Sequence, residues 1–453
     1  MTIARNTIIL LAVSSSIFFE ALDIAIINLA IPLIKTDFNL TGETVQWVQT
    51  LYVLFYGGFL IVGGKLADVA GRKNIFVIGS GLFLITSLGA ALASSFEILC
   101  AFRAVQGLGA AFVMPAAFSI ITNTFQDPVA RTKALGIFGS FAAIGSGSGL
   151  SLGGIIATYF GWQWVFYINV PVISISLFFA YIYIPADQKV KNENTPDYLT
   201  GIFLTLSILI LTFLVHDLKN VMHHLYATLI MLAAMVLMIR SIIRRSKSDN
   251  ALIDFKIFNT VSTRTGNGVM FLMGAFFTGF LFTISLVMQS YMGFSAAKSG
   301  LLLLPFSILS AVVSKSILPR VLKRISMYQG GILGMLLMTS GGLLLFLGIT
   351  LNYNIVVILL SVACVTGTGI AVCFITLNVI ALRDIPENNH GLASSFIQTC
   401  FFFGGGLGLS ILTLFMDTDQ PLYIPSLILT TYAFLGVLWL VIAKSRSAAL
   451  AVR

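Results

Sequence analysis

Two carboxylates lie inside an apolar stretch of this chain, where charge is costly. The run 8–31 carries Glu20 and Asp23, the two of 17 acidic residues that fall well inside a long apolar run. An ionisable group at bilayer depth costs at least about 2.5–3.5 kcal/mol on insertion scales. Residues three apart share one face of a helix, and carboxylates so close oppose each other's ionisation. One of them is therefore expected to hold a proton, as proton coupling requires.

Arg103 is the one basic residue placed inside an apolar run. Its permanent charge can pair with a carboxylate and shift the balance between that group's charged and protonated forms. We therefore predict a proton-coupling group of Asp23, Glu20 and Arg103. Two other interpretations stay open: a fixed pair between an acid and Arg103 that only holds helices together, and snorkelling of Arg103 to the external face.

The elements that position these groups are predicted to be membrane-crossing helices. The 453 residues are 58% hydrophobic and 9% charged, with a mean hydropathy of +0.99. Soluble domains carry about 25% charged residues, so a helical membrane protein is the remaining class. The basic residues that give the net charge of +9 lie in short loops between apolar runs, so they indicate membrane topology and not a nucleic-acid partner. The first apolar run has no small-residue cleavage site, so we expect a membrane span there instead of a signal peptide that is cleaved off.

Four cysteines lie within apolar runs and lack the spacing of metal ligands: Cys100, Cys364, Cys373 and Cys400. They are typical of small core residues in a reducing or lipid environment. We expect no metal, no cofactor and no catalytic cysteine. A membrane enzyme would also need an acid–base or metal cluster at one membrane face, and the sequence shows none.

Fourteen apolar runs are close to the roughly 20 residues that cross a bilayer as a helix. They lie at 8–31, 46–66, 75–95, 98–121, 134–157, 164–184, 199–216, 222–243, 266–291, 299–318, 328–350, 355–381, 391–415 and 423–443. The predicted fold class is therefore an all-α polytopic membrane protein, with two six-helix bundles and two extra transmembrane helices.

The distribution of basic residues predicts the orientation. With the N-terminus inside, 22 of 26 Lys and Arg fall in cytoplasmic segments, and the external loops hold only Lys35, Lys219 and Lys298. This bias predicts cytoplasmic N- and C-termini. The longest polar interruptions predict a division into an N-terminal bundle (1–184), a linker with two extra helices (185–265) and a C-terminal bundle (266–453).

Five segments resemble motifs of one transporter family. The loop 64–73 (GKLADVAGRK) resembles the signature loop of the major facilitator superfamily, and Leu99, Arg103, Gln106, Gly107, Gly109, Ala110 and Ala111 match its fourth-span motif. The segments 22–32, 161–171 and 299–305 are similar to its fourteen-span drug/proton antiporter branch. The resemblance covers nearly the whole chain.

The resemblance implies roles for three groups of residues. Gly64, Asp68, Gly71, Arg72 and Lys73 would form a cytoplasmic latch between the two bundles. Asp23 and Arg103 would belong to the proton relay. Gly145, Gly149, Gly153 and Gly154 would form the fifth-span motif, which the family associates with export by antiport. Val69 stands where the loop usually has a basic residue, and Leu150 replaces the proline of the fifth-span motif, which leaves the transport direction open.

Polar residues inside spans are candidates for lining a substrate cavity, since each needs a partner or a wet surface. They are Asn28, Gln49, Tyr52, Gln106, Asn123, Gln289, Asn378 and Gln398, with possible aromatic walls from Tyr56, Phe141, Phe276, Phe282 and Phe402. The alternative for each polar residue is a hydrogen bond between helices.

These observations predict a proton-coupled exporter of lipophilic small molecules, a monomer in the inner (cytoplasmic) membrane whose partners are substrate, protons and the lipid bilayer. A dedicated carrier of one metabolite, such as a siderophore or pigment, stays open because of Leu150. A scaffold that no longer transports is disfavoured, since it has no use for costly buried charge.

Overall fold

The structure is a computed structural model that describes residues 2–187, 197–218, 223–248, 251–252, 259–386, 390–416 and 422–451. Four parts of the predicted linker (188–196, 219–222, 249–250 and 253–258) lie outside the described residues, and Lys219 falls in the second of them. The described chain is helical with short connections, as the sequence predicts.

Fourteen helices among the described residues are long and apolar enough to cross a membrane. The first seven are α1 (Arg5–Asp37), α2 (Gly42–Ala70), α3 (Arg72–Ala91), α4 (Phe96–Thr124), α5 (Pro128–Tyr159), α6 (Trp164–Tyr183) and α7 (Tyr198–His216). The other seven are α8 (Leu225–Arg245), α9 (Val261–Tyr291), α10 (Ala296–Val321), α11 (Met327–Thr350), α12 (Ile355–Leu382), α13 (His390–Thr413) and α14 (Tyr423–Arg446). The predicted fold class and number of spans are confirmed.

Several helices extend beyond the apolar runs because polar residues cap them. Helix α2 begins four residues before the run at 46–66, since the Thr41 side chain accepts a hydrogen bond from the backbone N–H of Thr44 at 3.1 Å. The Asp127 carboxylate caps α5 in the same way, accepting from Ala130 N–H at 2.8 Å. Such N-caps satisfy donors that a helix start leaves unpaired.

Some spans depart from a regular α-helix. Helix α2 is interrupted at Gln46 and α6 at Ile168, while π-helical turns occur at Val287–Tyr291 in α9, Val313–Ile317 in α10 and Ala363–Gly369 in α12. A π-helical turn widens the helix locally and leaves backbone groups displaced from the regular ladder. All three π-helical turns of the described chain lie in the C-terminal part.

Packing follows two groups of helices, the N-terminal group (α1–α6) and the C-terminal group (α9–α14). Within the first, α1 packs on α5, and α4 on α2 and α3; within the second, α9 packs on α13 and α14. The two groups meet where α5 contacts α10, α2 contacts α13 and α1 contacts α9. Helix α7 packs on both α2 and α13, and α8 packs on α7. The predicted domain boundaries stay a prediction.

Pro32 explains one junction between the groups. A proline inside a helix has no N–H for the carbonyl four residues earlier, which here is Asn28. The Ser285 hydroxyl of α9 donates to that carbonyl at 2.5 Å, and the Gln289 side chain donates to the next one, Leu29, at 3.2 Å. A freed carbonyl at membrane depth needs such a partner, so Pro32 creates a contact site for α9.

Candidate functional site

A fully buried ion pair joins α1 to α4. The guanidinium of Arg103 donates from Nη1 to Oδ2 of Asp23 at 2.6 Å, and both side chains are almost completely inaccessible to solvent. A carboxylate and a guanidinium removed from water are stable together only when their remaining polar atoms find partners. The neighbours of this pair are therefore decisive.

Three neutral polar side chains surround the Asp23 carboxylate. Oδ1 accepts from Asn169 Nδ2 of α6 at 3.1 Å and from Gln106 Nε2 of α4 at 3.3 Å. The Ser87 hydroxyl of α3 lies between these two amides, at 2.9 Å from Gln106 Nε2 and 3.4 Å from Asn169 Nδ2. Side chains of α4 and α6 thus donate to the carboxylate of α1, and Ser87 of α3 completes the network through the two amides.

The Arg103 side chain is held on its other sides by backbone and aromatic rings. Its Nε donates to the Val48 carbonyl at 3.1 Å, its Nη1 also donates to Gln106 Oε1 at 2.7 Å, and its guanidinium carbon lies 4.1 Å from the Tyr52 ring centroid. The Phe166 ring lies 5.6 Å away. Cation–π contacts of this kind strengthen when desolvated. Arg103 Nη2 has no hydrogen-bond partner, so the cation is not fully satisfied in this conformation.

Among the described contacts, the Asp23 carboxylate is the counter-ion of Arg103. A proton on the carboxylate would remove the charge that holds Arg103, and Arg103 would then be a buried guanidinium without a counter-ion. Such a group is strongly disfavoured in place, so proton uptake at Asp23 would drive Arg103 or its helix to a new position. Snorkelling of Arg103 to the external face is not seen here, since the side chain is buried.

Substitution of Asn169 tests whether its hydrogen bond to Asp23 matters for transport. We expect Asn169→Ala to lower transport about 10-fold, because a buried hydrogen bond to a charged group contributes about 1.5–3 kcal/mol. The measurement is initial transport rate in proteoliposomes. The matched control is Asn74→Ala: the Asn74 side chain is exposed and donates to the Ala70 carbonyl at 3.1 Å. Equal rates for the two variants would contradict the assigned role.

The structure separates the predicted cavity residues into three sets. Gln106 and Tyr52 belong to the Asp23 network. Asn28 and Gln289 lie at the contact of α1 with α9, where Gln289 Nε2 also lies 3.0 Å from the Ser285 hydroxyl. Asn28 donates to Ile24 and Ala25 carbonyls of its own helix, but its Oδ1 is buried without a partner.

The third set does not join the Asp23 network. Gln49 is buried with an unpartnered Oε1, and Gln398 is half-buried on α13. Asn378 donates to the Phe374 carbonyl of its own helix at 2.7 Å, as Asn123 does to Ser119. The assignment of these side chains to a substrate cavity stays a prediction.

Sequence reasoning did not select Asn169 or Ser87 as site residues. Asn169 lies in the segment that resembles the antiporter branch, and its one signal is an amide within an apolar run. Ser87 has no distinguishing sequence context, because a serine in a span commonly bonds its own helix.

The comparison with known families decides the class of the protein. Residues 13–409 match the sequence pattern described as Major Facilitator Superfamily. The chain belongs to this superfamily. It is therefore a many-span integral membrane transporter, and the predicted resemblance is confirmed.

Characterised members of the superfamily resemble the chain over most of its length. The cephamycin export protein CmcT of Amycolatopsis lactamdurans is 30% identical over 442 residues, which cover 91% of this chain and 85% of that protein. The tetracenomycin C resistance and export protein of Streptomyces glaucescens is 30% identical, covering 90% and 75%. The multidrug resistance protein Stp of Mycobacterium tuberculosis is 27% identical, covering 89% and 74%.

Solved structures of other transporters share the fold. The POT family transporter PepTSo has a TM-score of 0.71 at 13% identity, covering 99% of both chains. A POT family transporter in complex with 5-aminolevulinic acid has a TM-score of 0.70 at 15% identity, covering 97% of this chain and 96% of that one. At such identities the similarity concerns the fold alone.

The fifth-span glycines of this superfamily member face two different helices. Gly145, Gly149 and Gly153 lie four apart and pack against Phe18, Leu22 and Ile26 of α1, which are spaced in the same way. A Cβ added at Gly149 would lie 2.8 Å from the Leu22 carbonyl oxygen. Small residues at this spacing let two helix backbones approach closely.

Gly154 and Leu150 belong to the contact of α5 with α10. A Cβ at Gly154 would lie 2.8 Å from the Ala296 carbonyl carbon, and a Cβ at Gly300 would lie 2.5 Å from the Leu150 carbonyl oxygen. On the same face, the Thr158 hydroxyl accepts from the Ala297 N–H at 2.8 Å. This N–H is one of the unpaired donors at the start of α10, so α5 caps α10 where the two groups meet.

In the superfamily's signature loop, Gly71 and Lys73 make their described contacts within the N-terminal group. Gly71 turns the chain with φ of +97°, a region that favours glycine. Lys73 Nζ donates to the Tyr181 and Ile184 carbonyls at 2.6 and 2.8 Å, and its N–H donates to the Asp187 carboxylate at 2.9 Å. Lys73 thus caps the C-terminal end of α6.

The remaining residues of the loop are less enclosed. Asp68 is exposed and Arg72 is half-buried. Gly64 lies near Pro115 of α4, and a Cβ added to Gly64 would lie 4.0 Å from the Ser395 hydroxyl oxygen of α13. The latch between the two helix groups stays a prediction.

Proposed function

We propose that this transporter is a proton-coupled exporter of lipophilic small molecules that works by alternating access. The observation that carries the proposal is the buried Asp23–Arg103 pair, held at 2.6 Å by four converging helices. Buried charge at membrane depth is costly, and ionisable residues there mark ion and proton paths. Asp23 is the proposed proton acceptor, and Arg103 is the cation that a proton displaces.

The contacts between the helix groups support a cycle in which access alternates. Ser285–Asn28, Gln289–Leu29 and Ala297–Thr158 all lie toward the ends predicted to be external. At the opposite end of α5, a Cβ added to Gly136 or Gly139 would have no atom within 4 Å. This pattern supports a state closed to the outside, ready to receive substrate from the cytoplasm or its membrane leaflet. The two groups would then move as the two domains predicted from the sequence.

The charge inside the spans supports a substrate class. Helices α9–α14 contain no Asp or Glu, and the N-terminal spans bury only Glu20 and Asp23 deeply. A dication would need several uncommitted carboxylates. Neutral, monocationic or zwitterionic lipophiles fit better. The names of relatives, which are antibiotic export or multidrug resistance proteins, support the same substrate class. The proposed setting is the inner membrane of a bacterium, with the protein working as a monomer.

The test uses purified protein in liposomes that contain a pH-sensitive dye. A proton gradient is imposed and a panel of lipophilic cations, neutral antibiotics and metallophores is added. We expect several compounds to trigger proton movement, and a protonophore to abolish their transport. Transport that continues unchanged without a gradient would contradict proton coupling.

A dedicated metabolite carrier is the second candidate, and Leu150 favours it. Leu150 lies in the α5–α10 contact and stands where the family's antiporter motif has a proline. With leucine there, the backbone N–H is retained and the helix is not forced to bend. Proton movement triggered by a single compound of the panel would support this candidate over a multidrug exporter.

A further inference from the structure

Helix α7, the first of the two extra helices, packs closely on α2. A Cβ added to Gly201 of α7 would lie 3.5 Å from the Cβ of Val62. One turn along each helix, a Cβ added to Gly58 of α2 would lie 2.8 Å from the Cβ of Thr205. Small residues of this kind let two helix backbones approach closely. The residue number falls along α2 as it rises along α7, so the two helices run antiparallel.

The contact between α2 and α7 continues to their predicted external ends. Gln46 is fully buried there, and its Nε2 lies 3.2 Å from His216 Nδ1. The Trp47 ring meets the His216 ring edge to face, with centroids 5.2 Å apart, and lies 6.4 Å from the Phe213 ring. Sixteen positions separate Gln46 from Val62, or about 24 Å of helix, which is most of a hydrocarbon core roughly 30 Å thick.

The contact of α7 with α13 is of a different kind. Leu204 of α7 and Leu392 of α13 pack against one buried apolar cluster, which includes Val62 of α2. The close glycine contacts of α13 are made with other helices: the atoms nearest to an added Cβ belong to α9 at Gly404 and to α2 at Gly406. Close backbone approach thus joins α7 to α2, whereas α7 meets α13 through larger apolar side chains, whose contacts are non-directional.

The second extra helix, α8, is attached to α7 at both ends. At one end the Asp197 carboxylate, which caps α7, pairs with Arg245 of α8 at 2.8 Å. At the other end the Asp217 carboxylate lies 3.0 Å from His224 Nδ1, at the start of α8. Since α8 also packs on α7 along the span, the two extra helices form one unit.

The seam between α2 and α13 is one of the places where the two helix groups meet, and α7 lies on both of its sides. Within the seam the Thr399 hydroxyl donates to the Gly57 carbonyl at 2.7 Å. At the predicted external end, Gln46 Oε1 accepts from the Ser410 hydroxyl of α13 at 3.4 Å, and both side chains are fully buried. Buried polar groups at membrane depth need shielding from lipid, and α7 is the helix placed to supply it.

We propose that the α7–α8 unit is carried by the N-terminal group and acts as a sliding cover for the seam between α2 and α13. When the two groups tilt against each other, α7 stays on α2 and its apolar contact with α13 shifts. The cover keeps lipid away from the polar side chains of the seam while α2 and α13 move. The inference rests on the proposed alternating access and gives the two extra helices a role in it.

A disulfide between α2 and α7 tests whether these helices move together. Val62→Cys and Gly201→Cys are combined after the four native cysteines are replaced by alanine; a Cβ separation of 3.5 Å fits a disulfide. The assay is efflux from liposomes of a panel compound that triggers proton movement in the parent. We expect the oxidised protein to stay within about twofold of the reduced protein, because rigid-body rocking leaves this contact intact. Loss of efflux on oxidation would overturn the proposal.

The matched control joins the two helix groups instead. A Cβ added to Gly147 of α5 would lie 3.3 Å from the Cβ of Ser307 of α10, so Gly147→Cys and Ser307→Cys can form a disulfide between the groups. Oxidation of this pair should lower efflux at least about 10-fold, because the groups can no longer tilt apart there. Reduction should restore the rate.

A second measurement needs no transport. Lys65, Leu199 and Gly391 are exposed near the predicted cytoplasmic ends of α2, α7 and α13. Spin labels on cysteines at two of these positions at a time report their separation in nanodiscs by dipolar EPR. Conditions are chosen in which the Lys65–Gly391 separation changes, by pH or by Asp23→Asn. We expect the Leu199–Gly391 separation to change as well and the Lys65–Leu199 separation to stay fixed. A changing Lys65–Leu199 separation would overturn the proposal.

The proposed function and the role of the extra helices fail in distinguishable ways. A protein that moves no protons, yet keeps the Lys65–Leu199 separation fixed while Leu199–Gly391 changes, would overturn proton-coupled export and retain the sliding cover. Active export that stops only when the α2–α7 disulfide forms would overturn the sliding cover alone.

Discussion

Asp23→Asn is expected to reduce gradient-driven transport at least 100-fold. The amide cannot take up or release a proton, so the exchange between a proton and Arg103 at this position stops. Asparagine can still accept hydrogen bonds from Asn169 and Gln106 through its oxygen, which preserves most of the local geometry. The measurement is substrate-triggered proton movement in liposomes, compared with binding of the same substrate to detergent-solubilised protein. Binding should persist while proton movement is lost.

Stability needs its own control, because Asp23→Asn also leaves Arg103 without its counter-ion. Removing one partner of a buried pair costs about 3–5 kcal/mol, so the melting temperature should fall. Adding Arg103→Gln removes the uncompensated charge and should restore much of the melting temperature without restoring transport. Wild-type transport rates in Asp23→Asn, or recovery of proton movement in the double variant, would exclude Asp23 from the coupling path.

The sequence predicts the membrane fold well because hydropathy acts residue by residue. Each span needs about 20 apolar residues, and charges in the connections add an independent signal for orientation. The differences are at helix ends, as in α2, where the cap formed by Thr41 lies outside the apolar run. Caps depend on side-chain geometry and not on mean hydropathy, so boundaries are predicted less well than the number of helices.

The centre of the candidate site is partly predictable. Burial of Asp23 and Arg103 in apolar runs identifies both as unusual, and the family motifs place them in one neighbourhood. The sequence does not indicate which rotation of α6 or α3 brings Asn169 and Ser87 to the carboxylate. Those contacts depend on packing between helices that are distant in the chain.

The different partners of Glu20 and Asp23 also depend on helix packing that the sequence does not indicate. Spacing alone predicts that two acids three apart share a face and oppose each other. In the structure Asp23 meets Arg103, while Glu20 turns to a pocket bounded by Ser80. A rotation of about 60° around the helix is enough to give the two acids different partners.

The contact created by Pro32 is predictable from the sequence only in part. The sequence indicates that a proline inside α1 frees the Asn28 carbonyl, and it therefore predicts that some donor is needed there. It does not predict that the donor is Ser285, more than 250 residues further along the chain.

Gly154→Ala is expected to lower transport about 10-fold to 100-fold. The added Cβ would lie 2.8 Å from the Ala296 carbonyl carbon, so the backbones of α5 and α10 must separate where the two helix groups meet. Overpacking of this kind costs about 1–3 kcal/mol, and the cost falls on the proposed externally closed state. A shift of about 1.4 kcal/mol changes a population tenfold. The measurement combines the transport rate with the affinity for substrate added on the cytoplasmic side.

Gly139→Ala on the same helix separates the packing effect from the change of residue type. A Cβ at Gly139 has no atom within 4 Å, and alanine is favoured over glycine in a helix by about 1 kcal/mol. This variant should keep its transport rate and its melting temperature or gain slightly in the latter. If Gly154→Ala also behaves like wild type, the α5–α10 approach does not limit the cycle. If both variants lose transport equally, the loss reflects flexibility of α5 and not closure at its external end, because Gly154 meets α10 and Gly139 does not.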